Sequence, residues 1–363
     1  MYKLALSAVI SLIFASAAVT PTNAQAAGAG ADAAPKKAQV KKAKARQPVR
    51  LAAARASDRV VKRVTRVNGR KKVSYQRLIM AAPAIPTMGD LAGLSATHDP
   101  LDLKSNVALV LDQANSEILF EKNSNVALPI ASITKMMTGL VVVEANQDMD
   151  EVLTVTDDDV DRAKFSSSRL RVGAQLTRAN MLHIALMSSE NRAASALGRN
   201  YPGGKPAFVE AMNAKARELG MSDTHYVDSS GLSKMNVASA RDLAKLAMAA
   251  YEHPMLRQFS TDTNAIVEAS GRPMQFGTTN RLVASPDWSI GLQKTGFINE
   301  AGRCMLMQAV IEGRSVIMVF LDSKGTQSRV ADAGRMRKWI EALKPAALNI
   351  GGTTGAPPYS TGM

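Results

Sequence analysis

The sequence predicts an α+β fold: a five-stranded antiparallel sheet whose two halves meet across a helical insertion. Three observations predict it. Two strand-like runs lie near residues 107–120, three more follow Asp287, and the stretch between them carries helical apolar spacing.

The first pair is Val107–Leu111 and Glu117–Phe120, joined by the polar stretch Asp112-Gln113-Ala114-Asn115-Ser116, which reads as a hairpin. Pro129 then precedes an apolar helical pattern through Met136, Leu140, Val141 and Val143, at a position where a helix start tolerates proline. Further helices are expected at Arg178–Met187, Asn191–Arg199, Pro206–Leu219 and Ala238–Tyr251, with Gly220 and Pro254 as stops. Three strands follow at Ser289–Phe297, Gly302–Ile311 and Ser315–Leu321, the last two joined through Glu312-Gly313. A final amphipathic helix is expected at Ser328–Leu343.

Charge is unevenly placed. The chain of 363 residues carries a formal +14, but about 16 lysines and arginines against only Asp32, Asp58 and Asp90 fall between Ala27 and Ala96. The remainder is near neutral, so there is no basic footprint on the folded part and no nucleic-acid partner is expected. Four segments follow. Residues 1–26 read as a secretory signal peptide, with Lys3, the apolar run Leu4–Val19 and the small-x-small site Ala24-Gln25-Ala26. Residues 27–96, rich in Ala, Lys, Arg and Pro, read as a disordered basic segment suited to an anionic surface or to a plain linker. Residues 97–345 form the folded domain, and 346–363 a disordered tail. An exported, periplasmic and cell-wall-associated protein is the expectation.

Three short motifs carry the chemistry. Ser132-Ile133-Thr134-Lys135 puts a hydroxyl and an amine on one helical face, one turn apart. A serine needs an adjacent base, and a lysine can serve if burial and a neighbouring cation bring its pKa down from about 10.4 to about 7–8. Ser189-Glu190-Asn191 falls between two predicted helices, where a loop can project both polar side chains. Lys294-Thr295-Gly296 lies on a predicted strand. Singly these also read as helix caps or an exposed strand edge; together, in this order, they are the signature of active-site-serine penicillin-recognising enzymes.

From about Asn106 to Ala342 the chain resembles the low-molecular-weight penicillin-binding proteins that act as D-alanyl-D-alanine carboxypeptidases and endopeptidases. Asp228-Ser229-Ser230-Gly231-Leu232, Asn236–Leu243 and Glu300-Ala301-Gly302-Arg303 add to the three motifs. The resemblance implies a β-lactamase/transpeptidase-like fold with a separate helical lobe and the site between sheet and lobe. It also implies roles. Ser132 attacks the carbonyl of the penultimate D-alanine, Lys135 takes its proton and Ser189 relays one to the leaving amine. Asn191 holds the substrate amide, Lys294 lowers the pKa of Lys135 and attracts the substrate carboxylate, and Thr295 bonds that carboxylate. Gly296 lets a substrate backbone approach, and the backbone N–H groups of Ser132 and Phe297 form the oxyanion hole. Peptidoglycan peptide stems are then the substrate and β-lactams covalent inhibitors.

Within this fold a class A β-lactamase would need a glutamate loop after the second motif, and Glu210 falls inside a predicted helix instead. A non-catalytic wall-binding protein would not need all three motifs. The short stretch after Leu343 resembles the endopeptidase type, which cleaves D-alanyl cross-links, more than the carboxypeptidases that carry a second β-domain and a membrane helix. His98, His183, His225 and His253 show no ligand spacing, so neither metal nor other cofactor is expected. Cys304, the only cysteine, reads as a small buried strand residue.

Overall fold

The computed structural model describes residues 58–67, 70–79 and 85–343. The expected signal peptide, the tail 346–363 and the rest of the basic segment lie outside these residues. Chain contacts divide the molecule into two units, Met1–Ala82 and Pro83–Met363.

In the first unit, strands Asp58–Val67 and Arg70–Ile79 pair antiparallel from Asp58↔Ile79 to Val67↔Arg70. This corrects the expectation of disorder across 27–96. The run Val60-Val61-Lys62-Arg63-Val64-Thr65-Arg66-Val67 has the partial alternation of a strand, and the residues between the two strands are Asn-Gly, the pair that two-residue hairpins favour. The folded second unit also begins earlier than residue 97. A helical turn at Met88–Leu91 is capped by Thr87, whose hydroxyl donates to Asp322 Oδ2 at 2.9 Å, and Met88 N donates to the Glu300 carbonyl at 2.9 Å.

The five-stranded sheet is present as expected. Its strands are β1 (Ser105–Asp112), β2 (Ile118–Lys122), β3 (Ser289–Ile298), β4 (Gly302–Ile311) and β5 (Arg314–Ser323). Their spatial order is β3-β4-β5-β1-β2, antiparallel throughout, which leaves β3 at an edge. Glu312 (φ 49) and Gly313 (φ 75) make the tight β4–β5 turn, the left-handed pair that a two-residue hairpin needs.

The helices are α1 (Thr134–Glu144), α2 (Arg178–Met187), α3 (Asn191–Arg199), α4 (Gly204–Glu218), α5 (Ala240–Tyr251), α6 (Pro254–Thr261) and α7 (Ser328–Ala342). Every residue of α1 from Thr134 to Val142 is buried, which is why its sequence is apolar almost all round. Helices α1–α6 cover one sheet face around Met136, Leu140, Leu186, Leu197 and Leu243. On the other face α7 packs Met336 and Ile340 onto Val110, Met305 and Phe320. Each such fully buried side chain contributes roughly 1.5–3 kcal/mol.

Three local expectations are corrected. Pro129 belongs to a two-residue strand with Leu128, paired to Val237-Ala238, and α1 begins only at Thr134. Pro254 opens a helix instead of ending one, because its fixed φ and missing N–H suit the first turn as well as a stop. The hairpin Asn264–Ala269/Arg272–Gly277 falls where no element was expected.

Candidate active site

Ser132 sits in a 3₁₀ turn, Ala131–Ile133, leading directly into α1. Ala131 has φ 49, a left-handed conformation costing an alanine roughly 1–2 kcal/mol. The loop 228–231 lies hard against this turn: a Cβ on Gly231 (φ +81) would stand 2.0 Å from the Ala131 carbonyl oxygen. Asp228 shapes that loop, its Oδ1 accepting from the N–H groups of Ser230 at 2.7 Å and Gly231 at 2.6 Å.

Lys135 is fully buried one turn after the serine. Its Nζ lies 2.8 Å from Ser132 Oγ, 2.7 Å from Asn191 Oδ1 and 2.6 Å from the Ser230 carbonyl oxygen. A neutral amine has two hydrogens and one lone pair. The two oxygens that can only accept take the hydrogens, so the lone pair is left for the hydroxyl of Ser132. Burial lowers the lysine pKa to about 7, with Asp228 and Glu190 opposing in part.

Lys294 is fully buried on β3, and its Nζ donates to the Thr295 carbonyl at 3.0 Å. Burial, then the charges of Lys135 and Arg329, hold its pKa well below the ordinary lysine range. Desolvation is the first cause for both lysines, and the repulsion between the two buried amines, being mutual, favours the loss of a proton from the pair.

Gly296 explains why strand and serine meet. A Cβ there would stand 2.8 Å from the Ile130 carbonyl oxygen and 3.0 Å from Ser132 N. The close approach it permits is therefore by the chain's own nucleophile turn, whereas substrate backbone was expected. Thr295 Oγ1 shares a hydrogen bond of 2.7 Å with Thr279 Oγ1. Phe297 is half exposed at the sheet edge, under the Arg303 guanidinium at 4.6 Å from the ring centroid. Arg329, on α7, donates to the carbonyls of Gly296 at 2.9 Å and Cys304 at 3.3 Å.

Ser189 joins α2 to α3 with φ 64, so its backbone is held in a conformation non-glycine residues avoid. It lines a cleft of about 340 Å³ together with Ser167, Asn191 and Thr279. Glu190 caps α3 by accepting from Arg192 N and also accepts from Ser168 Oγ. Asn191 is engaged on both sides, its Nδ2 donating to Ser166 Oγ at 3.1 Å, so its expected hold on a substrate amide requires one of these bonds to yield.

All eight candidate residues thus fall around one region where α1, the α2–α3 loop and β3 meet. Residue patterns did not reveal Ser166, Thr279 or Arg329, which sit in no recognisable motif. The roles of Asp228 and the Ser230 carbonyl had one cue, the Asp-x-x-Gly pattern of a tight turn. Cys304 is buried on β4 and its thiol is pushed up to about 12 by burial, which leaves it unreactive.

The profile described as D-alanyl-D-alanine carboxypeptidase matches residues 94–325. The chain is 46% identical over 250 residues to the D-alanyl-D-alanine endopeptidase of Pseudomonas aeruginosa, covering 68% of this chain and 80% of that protein. It is 40% identical over 269 residues to the D-alanyl-D-alanine endopeptidase of Escherichia coli, covering 74% and 87%. Among solved structures, the Streptomyces K15 DD-transpeptidase superposes with TM-score 0.64 at 26% identity over 68% of this chain and all of that one. Penicillin-binding protein D2 of Listeria monocytogenes, in its cefotaxime-bound form, gives TM-score 0.60 at 29% identity over 66% and 98%. The serine–lysine geometry, the sheet order and these likenesses agree: the chain belongs to the D-alanyl-D-alanine carboxypeptidase family of serine peptidases, within the low-molecular-weight penicillin-binding proteins.

Proposed function

We propose that this chain is a D-alanyl-D-alanine endopeptidase that hydrolyses peptidoglycan cross-links through an acyl-enzyme on Ser132. The observation that carries this reading is the buried Lys135 amine, 2.8 Å from Ser132 Oγ with its other contacts taken by acceptors. Lys135 accepts the Ser132 proton as Oγ attacks the D-alanyl carbonyl. Backbone N–H groups of Ser132 and Phe297 receive the developing oxyanion, a contribution whose loss costs about 10²–10³ in rate. Ser189 delivers a proton to the departing amine. Water then releases the acyl group as a free acid and regenerates the serine.

Asn191 holds Lys135 in register and meets the substrate amide. Lys294 and Thr295 attract the substrate carboxylate, and Gly296 keeps β3 against the nucleophile turn. The free edge of β3 suits addition of an extended peptide as a further strand. β-Lactams act as covalent inhibitors by acylating the same serine. Residues 1–26 direct export to the periplasm, and the basic segment 27–96 draws the enzyme to anionic surfaces; no helix among the described residues is long and apolar enough to cross a membrane.

Endopeptidase activity is favoured over carboxypeptidase activity by the two relatives at 46% and 40% identity, both named endopeptidases. The test is digestion of purified cross-linked dimeric muropeptides, with fluorescent penicillin labelling of Ser132 in parallel. Release of terminal D-alanine from monomeric pentapeptide, with dimers left intact, would reverse the assignment to carboxypeptidase; absence of labelling would remove the enzymatic reading.

A further inference from the structure

We propose that a cationic groove beside the catalytic cleft binds carboxylates of the second peptide stem, the one that leaves as the amine when a cross-link is cut. The inference rests on the endopeptidase reading above and names the substrate feature that reading lacks.

The groove has a volume of about 550 Å³ and lies between residues 169–174 and the hairpin Asn264–Ala269/Arg272–Gly277. Three arginines line it, Arg169, Arg171 and Arg272, along with Val172 and Met274, and no acidic residue does. Among the described residues no carboxylate stands within ion-pair range of any of the three. Arg169 is fixed in place, donating to the Gln275 carbonyl and lying 5.3 Å from the Phe276 ring centroid. Arg171 and Arg272 are exposed. Three like charges without a counterion along one trough suit an anionic ligand of some length.

Position ties the groove to the reaction. Arg169 is also a wall of the cleft that holds Ser189, Asn191 and Thr279. The groove therefore continues from the side of the site where Ser189 meets the departing amine. Arg272 and Gly277 are the two ends of one strand; Gly277 borders the cleft and Arg272 the groove. Five strand steps of about 3.3 Å separate them, roughly 17 Å.

That distance discriminates between substrates. A single terminal D-alanine spans about 3.5 Å beyond the scissile bond and cannot reach Arg272 at the far end of that strand. A cross-linked substrate places a whole second stem there, several residues long and bearing free carboxylates. Two or three charge-assisted contacts, each solvent-exposed and screened by salt, would then favour the cross-linked substrate.

The experiment compares cleavage of a cross-linked muropeptide dimer with cleavage of the same dimer amidated at the carboxylates of its second stem. Wild-type protein should show kcat/KM about tenfold higher for the free-acid dimer, through KM, with the preference shrinking between low and high salt. In the R171S/R272S double variant the ratio between the two dimers should fall to about one, with thermal melting reporting that the fold is intact. Equal cleavage of the two dimers by wild-type protein overturns the proposal, and so does a double variant that keeps the wild-type ratio. Equal cleavage by wild-type protein overturns the proposal even if the variant does not fold, and the variant's loss of the preference assigns it to the groove instead of to Lys294 and Thr295. A wild-type chain that fails to be acylated by penicillin, or that cuts neither dimer, overturns the endopeptidase reading itself, and the groove's assignment falls with it.

Discussion

Replacing Lys135 by methionine should abolish acylation and yet raise thermal stability at neutral pH. The lysine is fully buried, and its pKa falls from 10.5 to about 7 because burial penalises the ammonium. A fall of that size corresponds to about 5 kcal/mol of folding free energy lost at and below pH 7. Methionine has similar length and no charge to desolvate, but it leaves Asn191 Oδ1 and the Ser230 carbonyl without their donor. At about 1.5 kcal/mol for each stranded acceptor, the net gain is about 2 kcal/mol, or ~4–8 °C in Tm for a domain of this size. The sign depends on pH. Between about 7 and 10.5 the unfolded lysine holds a proton that the folded one lacks, so wild-type stability rises with pH across that window while the methionine variant lacks this contribution. Scanning calorimetry of both proteins at pH 7 and pH 9 should therefore show the variant's advantage at pH 7 shrinking by about 1.4 kcal/mol per pH unit and vanishing by pH 9. A variant that melts below wild type at pH 7, or a difference that does not change with pH, would refute the claim that burial brings the Lys135 pKa down to about 7.

Acylation by a fluorescent penicillin should follow the neutral fraction of Lys135, rising about fivefold from pH 6 to pH 7 and less than twofold from pH 7 to pH 8; a flat profile in stopped-flow labelling would exclude the amine as base. Gly231→Ala places a methyl 2.0 Å from the Ala131 carbonyl at φ +81, so it should destabilise by at least ~1 kcal/mol and slow acylation by displacing the Ser132 turn; unchanged melting and labelling would show the turn to be held by other contacts. Asn191→Ala removes one of the two acceptors that orient the Lys135 amine and should lower the acylation rate constant by about 10²-fold while the stranded N–H costs about 1.5 kcal/mol, or ~3–6 °C in Tm, whereas a loss confined to KM would assign Asn191 to substrate binding alone.

What could be read in advance was whatever is encoded locally. Helices α2 and α3 and strand β4 fall at the expected boundaries because Thr177 and Glu190 cap the two helices and turn residues flank the strand. Proline and alternation are ambiguous by nature. Pro254 fits a helix start as well as a stop, and the basic run 59–67 satisfies the composition of a linker and the period of a strand together. The exposed hairpin at 264–277 buries little beyond Val267, Ala269 and Phe276, so it had no strong alternation to reveal it.

At the site, the Ser-x-x-Lys spacing announces only that a hydroxyl and an amine are neighbours. Proximity alone does not make the amine a base: a surface pair at the same spacing would hold a charged lysine donating to the serine. Direction and protonation come from elsewhere in the chain. The Ser230 carbonyl, 95 residues on, and Asn191, 56 residues on, occupy the amine's hydrogens. Thr138 Oγ1, bonding the Ser229 carbonyl at 2.7 Å, fixes the first of these loops to α1. Gly296 admits β3 to within contact of the same turn and so buries Lys294 beside it. None of those contacts has a sequence signature of its own, because each is a backbone carbonyl or a missing side chain. The motif supplies the reacting groups, and the fold decides which of them carries the proton.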